Sequence, residues 1–195
     1  MLPDEINKLI EEFSSLPSIG PRQATRLVFH LVRSGKQKNS TLASAIWNLE
    51  KLKPCANCFF PHTDKGLFCS ICANPQRRKN TICIVEKETD LISLEKTSKF
   101  KGVYFILGEQ SDDNPQNLKL KFLKERIKKD LGGQAEEIII AINPTSEGDL
   151  RALYLKEELK NFAKKITRLG RGLPTGGDIE FADEETLAQA LENRS

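Results

Sequence analysis

Four of the five cysteines stand in the run CANCFFPHTDKGLFCSIC, as the pairs Cys55/Cys58 and Cys69/Cys72 with ten residues between them. A Cys-x-x-Cys turn aims two thiolates at one cation, and a second such turn completes a tetrahedral set. The intervening PHTDKG carries turn-forming residues that can reverse the chain. Two disulfides or four free thiols are the competing readings. The opening MLPDEINKLIEEF has acidic groups where a secretory signal needs a basic end and an apolar run. No apolar stretch approaches the roughly 18–20 residues of a bilayer span. A cytoplasmic protein with no membrane contact is therefore expected, and in that compartment structural disulfides are rare. The spacing reads as one Zn2+ per chain, bound by Cys55, Cys58, Cys69 and Cys72. Four protein ligands leave no open position on the metal, so the zinc is structural. His62 is a rival ligand by type; with four thiolates filling the site it is expected to be a solvated loop residue. Cys83, in TICIVE, reads as a small buried hydrophobe in a strand.

Basic side chains form two groupings. Pro21 suits a first helical position, where its missing N–H costs nothing. Amides at the start of such a helix can take a phosphate oxygen, and Arg22 and Arg26, four residues apart, flank that point on one face. An ordinary helix pair with solvated arginines is the alternative. Arg77, Arg78 and Lys79 in NPQRRKN form the second grouping, read as a solvated loop or a further DNA contact. With a net charge of only +3, any nucleic-acid role must come from such local clusters.

The 195 residues, 38% apolar and 29% charged, suit one large globular domain or two to three small ones. Ile6, Leu9, Ile10 and Phe13 recur at helical spacing, as do Ala24, Leu27, Val28 and Leu31, with LPSIGPR as punctuation between. STLASAIWNLEKL predicts a further helix with Ser40 as its N-cap and with Ile46 and Trp47 as core or interface anchors. From residue 81 the pattern changes. TICIVE, GVYFILG and EEIIIAIN are apolar, β-branched runs of strand length, and ITRLGRG is a fourth strand candidate. ETDLISLEKT, NLKLKFLKERIKKDLG and EGDLRALYLKEELKNFAKK are the helices between and after them. Such alternation predicts an α/β architecture of parallel strands with crossover helices. Functional groups then gather at the carboxyl ends of strands, where Glu86 ends the first and NPTSEGD follows the third.

Taken in order, these segments resemble the bacterial RecR recombination-mediator family over nearly the whole chain. LPSIGPRQATRL resembles its helix-hairpin-helix, with Ser18 where the hairpin usually carries glycine. The four cysteines resemble its zinc finger. ICIVEKETDLISLEKT and AINPTSEGD resemble its Toprim domain, and RGLPTGGDIE its C-terminal segment. The resemblance implies a helical helix-hairpin-helix region over 1–53, a small four-cysteine zinc finger over 54–79, a Toprim domain over 80–175 and a C-terminal oligomerisation segment over 176–195. It further implies a homo-oligomeric clamp, from dimer to tetrameric ring. Such a clamp binds DNA through Arg22 and Arg26 and acts with RecO and RecF, at the nucleoid, to load recombinase on single-stranded DNA.

The alternative is a metal-dependent Toprim nuclease or primase-like enzyme using Glu86, Glu147 and Asp149. Catalytic Toprim enzymes place two aspartates after the third strand; here Asn143 and Thr145 occupy those positions. Losing two of three carboxylates removes most of the charge that holds magnesium. No enzyme is expected; Glu86, Glu147 and Asp149 are read instead as a partner-binding acidic surface. Asp178 and Glu180 could suggest a nucleotide site, but the chain has no Gly-x-x-x-x-Gly-Lys-Ser/Thr loop to cradle a triphosphate.

Overall fold

The computed structural model describes residues 2–108 and 115–194, with the backbone alone at 115–117. The end residues Met1 and Ser195 of the first and last expected segments lie outside it. The chain forms two compact units, Met1–Leu52 and Lys53–Ser195.

The first unit contains α1 (Asp4–Ser14), α2 (Pro21–Ser34) and α3 (Lys36–Trp47), followed by a 3-10 turn at Asn48–Lys51. Gly20 is the extended residue before α2, and Pro21 is its first residue. Ser18 has φ 64°, the left-handed conformation that glycine takes at least cost. Gly35, at φ 83°, ends α2 and starts α3 directly. The third helix thus begins four residues before Ser40, which lies inside it and is not its N-cap. Trp47 is 70% exposed and Ile46 55%, so neither is a core residue of this chain.

In the second unit a two-stranded antiparallel ribbon, β1 (Lys53–Pro54) with β2 (Pro61–His62), opens the cysteine segment, which closes with the one-turn helix α4 (Ser70–Ala73). Then follow β3 (Arg78–Val85), α5 (Glu88–Lys96), β4 (Gly102–Ile106), α6 (Pro115–Asp130), β5 (Ala135–Ala141), α7 (Ser146–Leu159) and β6 (Ala163–Arg168). The four longer strands form one parallel sheet in the order β4-β3-β5-β6. Successive side chains point to opposite faces. Ile82, Ile84, Val103, Phe105, Ile138 and Ile140 therefore pack with Leu123 and Ile127 of α6 and Leu155 and Leu159 of α7. Cys83, Val85, Tyr104 and Ile106 face Leu91 of α5, with Phe60 and Ile71 of the cysteine segment packed against them. Burial on both faces is why these strands read as continuous apolar runs. The outer strand β6 carries Lys164 and Lys165 exposed, which protects its edge from pairing. A 3-10 turn at Ile179–Phe181 and α8 (Glu184–Glu192) complete the chain.

Candidate functional site

The cysteine cluster comes first. The sulfurs of Cys55, Cys58, Cys69 and Cys72 all lie within 4.8 Å of one another, and all four residues are buried. A tetrahedron with metal–sulfur bonds of about 2.3 Å has edges of about 3.8 Å; the Cys58–Cys69 sulfurs are 3.6 Å apart. That separation is far beyond a disulfide bond, and all five cysteines are free thiols. The Cys69 amide donates to the Cys55 sulfur at 3.2 Å. Hydrogen bonding with Cys69 and Cys72, then burial, push the Cys58 thiol up. A divalent cation would invert that preference, because a coordinating thiol is deprotonated outright. The donor set thus fits a metal ion held by four thiolates.

His62 does not join these sulfurs. It is buried in the ribbon opposite Lys53, with Nδ1 3.5 Å from Asp64. The expectation of a solvated loop residue is corrected: strand pairing draws the ring inside. Burial also pushes the Cys83 thiol up to about 12, as expected of an inert strand cysteine.

The cysteine segment is fastened to the sheet. The Ile106 amide donates to the Cys58 carbonyl at 3.0 Å, so the knuckle covers the outer edge of β4. Phe59 packs edge-on against Phe105 and Phe122, with ring centroids 5.5 and 5.3 Å away. Arg126, on the apolar stripe of α6, is buried and donates to the Asn57 carbonyl at 2.8 Å. Its cationic form is opposed by burial and favoured by the nearby cysteines. Arg77 and Lys79 are likewise committed. Arg77 donates to the Phe100 and Gly102 carbonyls and pairs with Glu95, and Lys79 donates to the Asn74 and Cys72 carbonyls. The expected free basic loop is instead a bracket between the cysteine segment and β4; only Arg78 projects into solvent.

The second site lies between the carboxyl ends of β3 and β5. Connections leave in opposite directions there, the place where open parallel sheets form crevices. A pocket of about 280 Å³ is lined by Glu86, Asn143, Thr145, Glu147, Gly148 and Arg151. Arg151, from the second turn of α7, pairs with one oxygen of Glu86, and Asn143 donates to the other at 3.1 Å. The side chains of Arg151 and Glu86 are only 10% and 12% exposed, and Arg151 also donates to the Gly108 carbonyl. Thr145 is the N-cap of α7, accepting from the Gly148 amide at 3.1 Å. At Gly148 an added Cβ would stand 2.1 Å from the Asn143 carbonyl oxygen, so only glycine lets this helix start against the strand end.

Of the three acidic residues, Glu86 and Glu147 share this pocket and Asp149 does not. Glu86 faces Arg151; Glu147 is exposed and, among the described residues, unpaired; Asp149 turns away from the pocket. Asp149 accepts from Arg168 at 2.9 Å and from Arg171, which hold its carboxyl down at about 2, Arg171 contributing most. Sequence reasoning missed Arg151, Arg168 and Arg171. The visible signal for Arg151 was its place two residues beyond Asp149 on the helix that follows the carboxylate motif.

The third site is the start of α2. Arg22 and Arg26 are exposed there and, among the described residues, make no ion pair.

Comparison with known proteins follows this order of parts. Residues 6–49 match the family model described as RecR, helix-hairpin-helix; residues 80–170 match the Toprim domain; residues 172–195 match RecR, C-terminal. The chain is 40% identical to the recombination protein RecR of Clostridium perfringens, covering 99% of this chain and 97% of that one. The chain belongs to the RecR family. The RecR of Gloeobacter violaceus is 41% identical, covering 96% of this chain and 95% of its own. That of Herpetosiphon aurantiacus is 39% identical, covering 98% and 94%. Family membership accounts for the α/β architecture, with N-terminal helices, a four-cysteine cluster and a Toprim sheet. It supports a role in recombination, and the helix-hairpin-helix match points to interaction with DNA. Among the described residues no helix is long and apolar enough to cross a membrane.

Proposed function

We propose that this chain is a non-catalytic DNA-binding mediator of recombinational repair, acting in the cytoplasm at the nucleoid. Its work is to help RecO and RecF load recombinase onto single-stranded DNA. The observation that carries the non-catalytic half is the Arg151 guanidinium against Glu86. A cation supplied by the chain itself already neutralises the one carboxylate that matches a Toprim enzyme's first glutamate. Asn143 and Thr145 cannot replace the missing carboxylates, since one donates to Glu86 and the other caps α7.

In this reading Cys55, Cys58, Cys69 and Cys72 hold one structural Zn2+, and Arg22 and Arg26 contact phosphates. The clamp is a homo-oligomer, from dimer to tetrameric ring. The exposed Ile46 and Trp47 and the exposed Ile179 and Phe181 give the N-terminal helices and the C-terminal segment apolar surface for such contacts. Of the acidic residues assigned to partner binding, Glu86 and Asp149 are held by arginines of the chain, which leaves Glu147 as the one free to meet a basic surface on RecO.

Salt-dependent binding tests the DNA half. Replacing Arg22 and Arg26 by alanine should weaken single-strand binding regardless of sequence and shrink the log–log salt slope by about 1.4. Unchanged affinity and slope would move the DNA contact elsewhere. Glu147→Lys should slow RecO association at low salt, with oligomeric state unaltered by light scattering; undiminished association would remove Glu147 from that interface.

A further inference from the structure

Phe29 lies on the wrong side of its helix. At about 100° per residue, Phe29 stands roughly 100–140° around α2 from the buried Ala24 and Val28. Taking Arg22 as the origin, Arg26 falls near 40°, Phe29 near −20°, His30 near 80° and Arg33 near 20°. One face about 100° wide therefore carries three arginines, a histidine and a phenylalanine. α2 contains no acidic residue, and Arg22, Arg26, His30 and Arg33 are exposed and make no ion pair among the described residues. Phe29 is half-buried, flanked by Arg26 one turn before it and Arg33 one turn after. An open surface hollow of about 510 Å³ lies against the helix, lined by Gln23, Thr25, Arg26, Leu27, Phe29, His30 and Arg33.

Two features of this face are hard to explain as helix stability alone. A cation in the last turn, such as Arg33, does favour the helix dipole. Arg22 in the first turn does the opposite, and an aromatic ring on the polar face contributes nothing to the stripe formed by Ala24 and Val28. Both features suit one ligand. A single nucleic-acid strand presents a row of phosphates and, because its bases are unpaired, open ring faces. Proteins that hold such strands combine a basic track with an aromatic ring on which a base stacks. A duplex hides those faces inside its stack.

We propose that the whole length of α2 is a single-strand track, in which Arg22, Arg26 and Arg33 take successive phosphates and Phe29 stacks a base between them. His30 supplies a hydrogen bond at the rim. This deepens the DNA-binding reading above and rests on it. It adds three residues, Phe29, His30 and Arg33, and it assigns the strandedness of the ligand at this site.

The two contributions separate in one titration series with a labelled oligothymidylate and an abasic strand of equal length. Phe29→Leu keeps apolar volume but removes the ring. It should bind oligothymidylate at least about fivefold more weakly, with the salt slope unaltered, and bind the abasic strand as the parent protein does. Phe29→Tyr should retain affinity. Arg33→Ala should shrink the slope by about 0.7 on both strands. Phe29→Leu binding oligothymidylate as tightly as the parent overturns the proposal, as does an equal loss on the abasic strand, which would mark the ring as packing. An unaltered slope in Arg33→Ala also overturns it. In each case a weakened Arg22→Ala/Arg26→Ala variant would leave the broader reading standing, whereas an unweakened one refutes that reading itself.

Discussion

The guanidinium of Arg151 meets the carboxylate of Glu86 across 65 residues of sequence, in a pocket where both side chains are about nine-tenths buried. This pair neutralises the Glu86 carboxylate and ties the end of β3 to α7.

Breaking one side of the pair should be costly. Arg151→Ala leaves a desolvated carboxylate and should lower stability by about 3 kcal/mol, in the range for a severed buried ion pair. Replacing both partners, as Glu86→Gln with Arg151→Met, should recover much of that loss. Denaturant melts of the two single variants and the double variant check this; additive losses would show that the two groups do not stabilise one another.

Metal removal should unfold the cysteine segment. Cys58→Ala should release one zinc equivalent and lower the melting temperature, since structural zinc contributes on the order of 10 kcal/mol in small peptides. Elemental analysis beside calorimetry measures both. Loosening should reach β4 too, because the Cys58 carbonyl accepts from the Ile106 amide.

Ser18 offers a test in the opposite direction. Its φ of 64° costs a side-chain-bearing residue about 1 kcal/mol relative to glycine. Ser18→Gly should stabilise the Met1–Leu52 unit by that amount, read as a shift in denaturant midpoint followed through Trp47, the one tryptophan.

The link from α7 to the end of β6 and the residues just after it should be acid-sensitive. Asp149 titrates at about 2, held down by Arg171 and Arg168. A depressed carboxyl contributes stability that is present above its unfolded value, near 3.9, and lost as pH falls through 2. Carbon-detected titration of the Asp149 carboxyl should therefore show a midpoint well below that of exposed aspartates. A midpoint near 4 would mean that Arg171 is not held there in solution.

The contrast between the cysteines and Arg151 shows what a sequence can carry. A Cys-x-x-Cys turn is local geometry, so the cluster was legible from spacing, and the apolar runs of β3, β4 and β5 were legible because both sheet faces are covered. Arg151 and Glu86 meet only once β3 and β5 are neighbours, and no local pattern encodes that contact. Arg126 was hidden in the same way: it reads as one more cation in a lysine-rich helix until the Asn57 carbonyl comes to rest above it. His62 was misjudged because a two-residue ribbon is too short to leave a periodic signal. Ser40 was misplaced as a cap because Gly35, at positive φ, lets α3 begin without a side-chain cap.

One measurement bears most directly on the proposal of a DNA-binding, non-catalytic protein in which Arg151 neutralises the Glu86 carboxylate of the Toprim pocket. End-labelled single-stranded DNA, saturated with protein, is incubated with magnesium or manganese and its products are resolved by length. The account predicts full binding with either ion or with neither, and DNA of unaltered length throughout. Cleavage that requires the divalent ion and disappears in Glu86→Gln would contradict it.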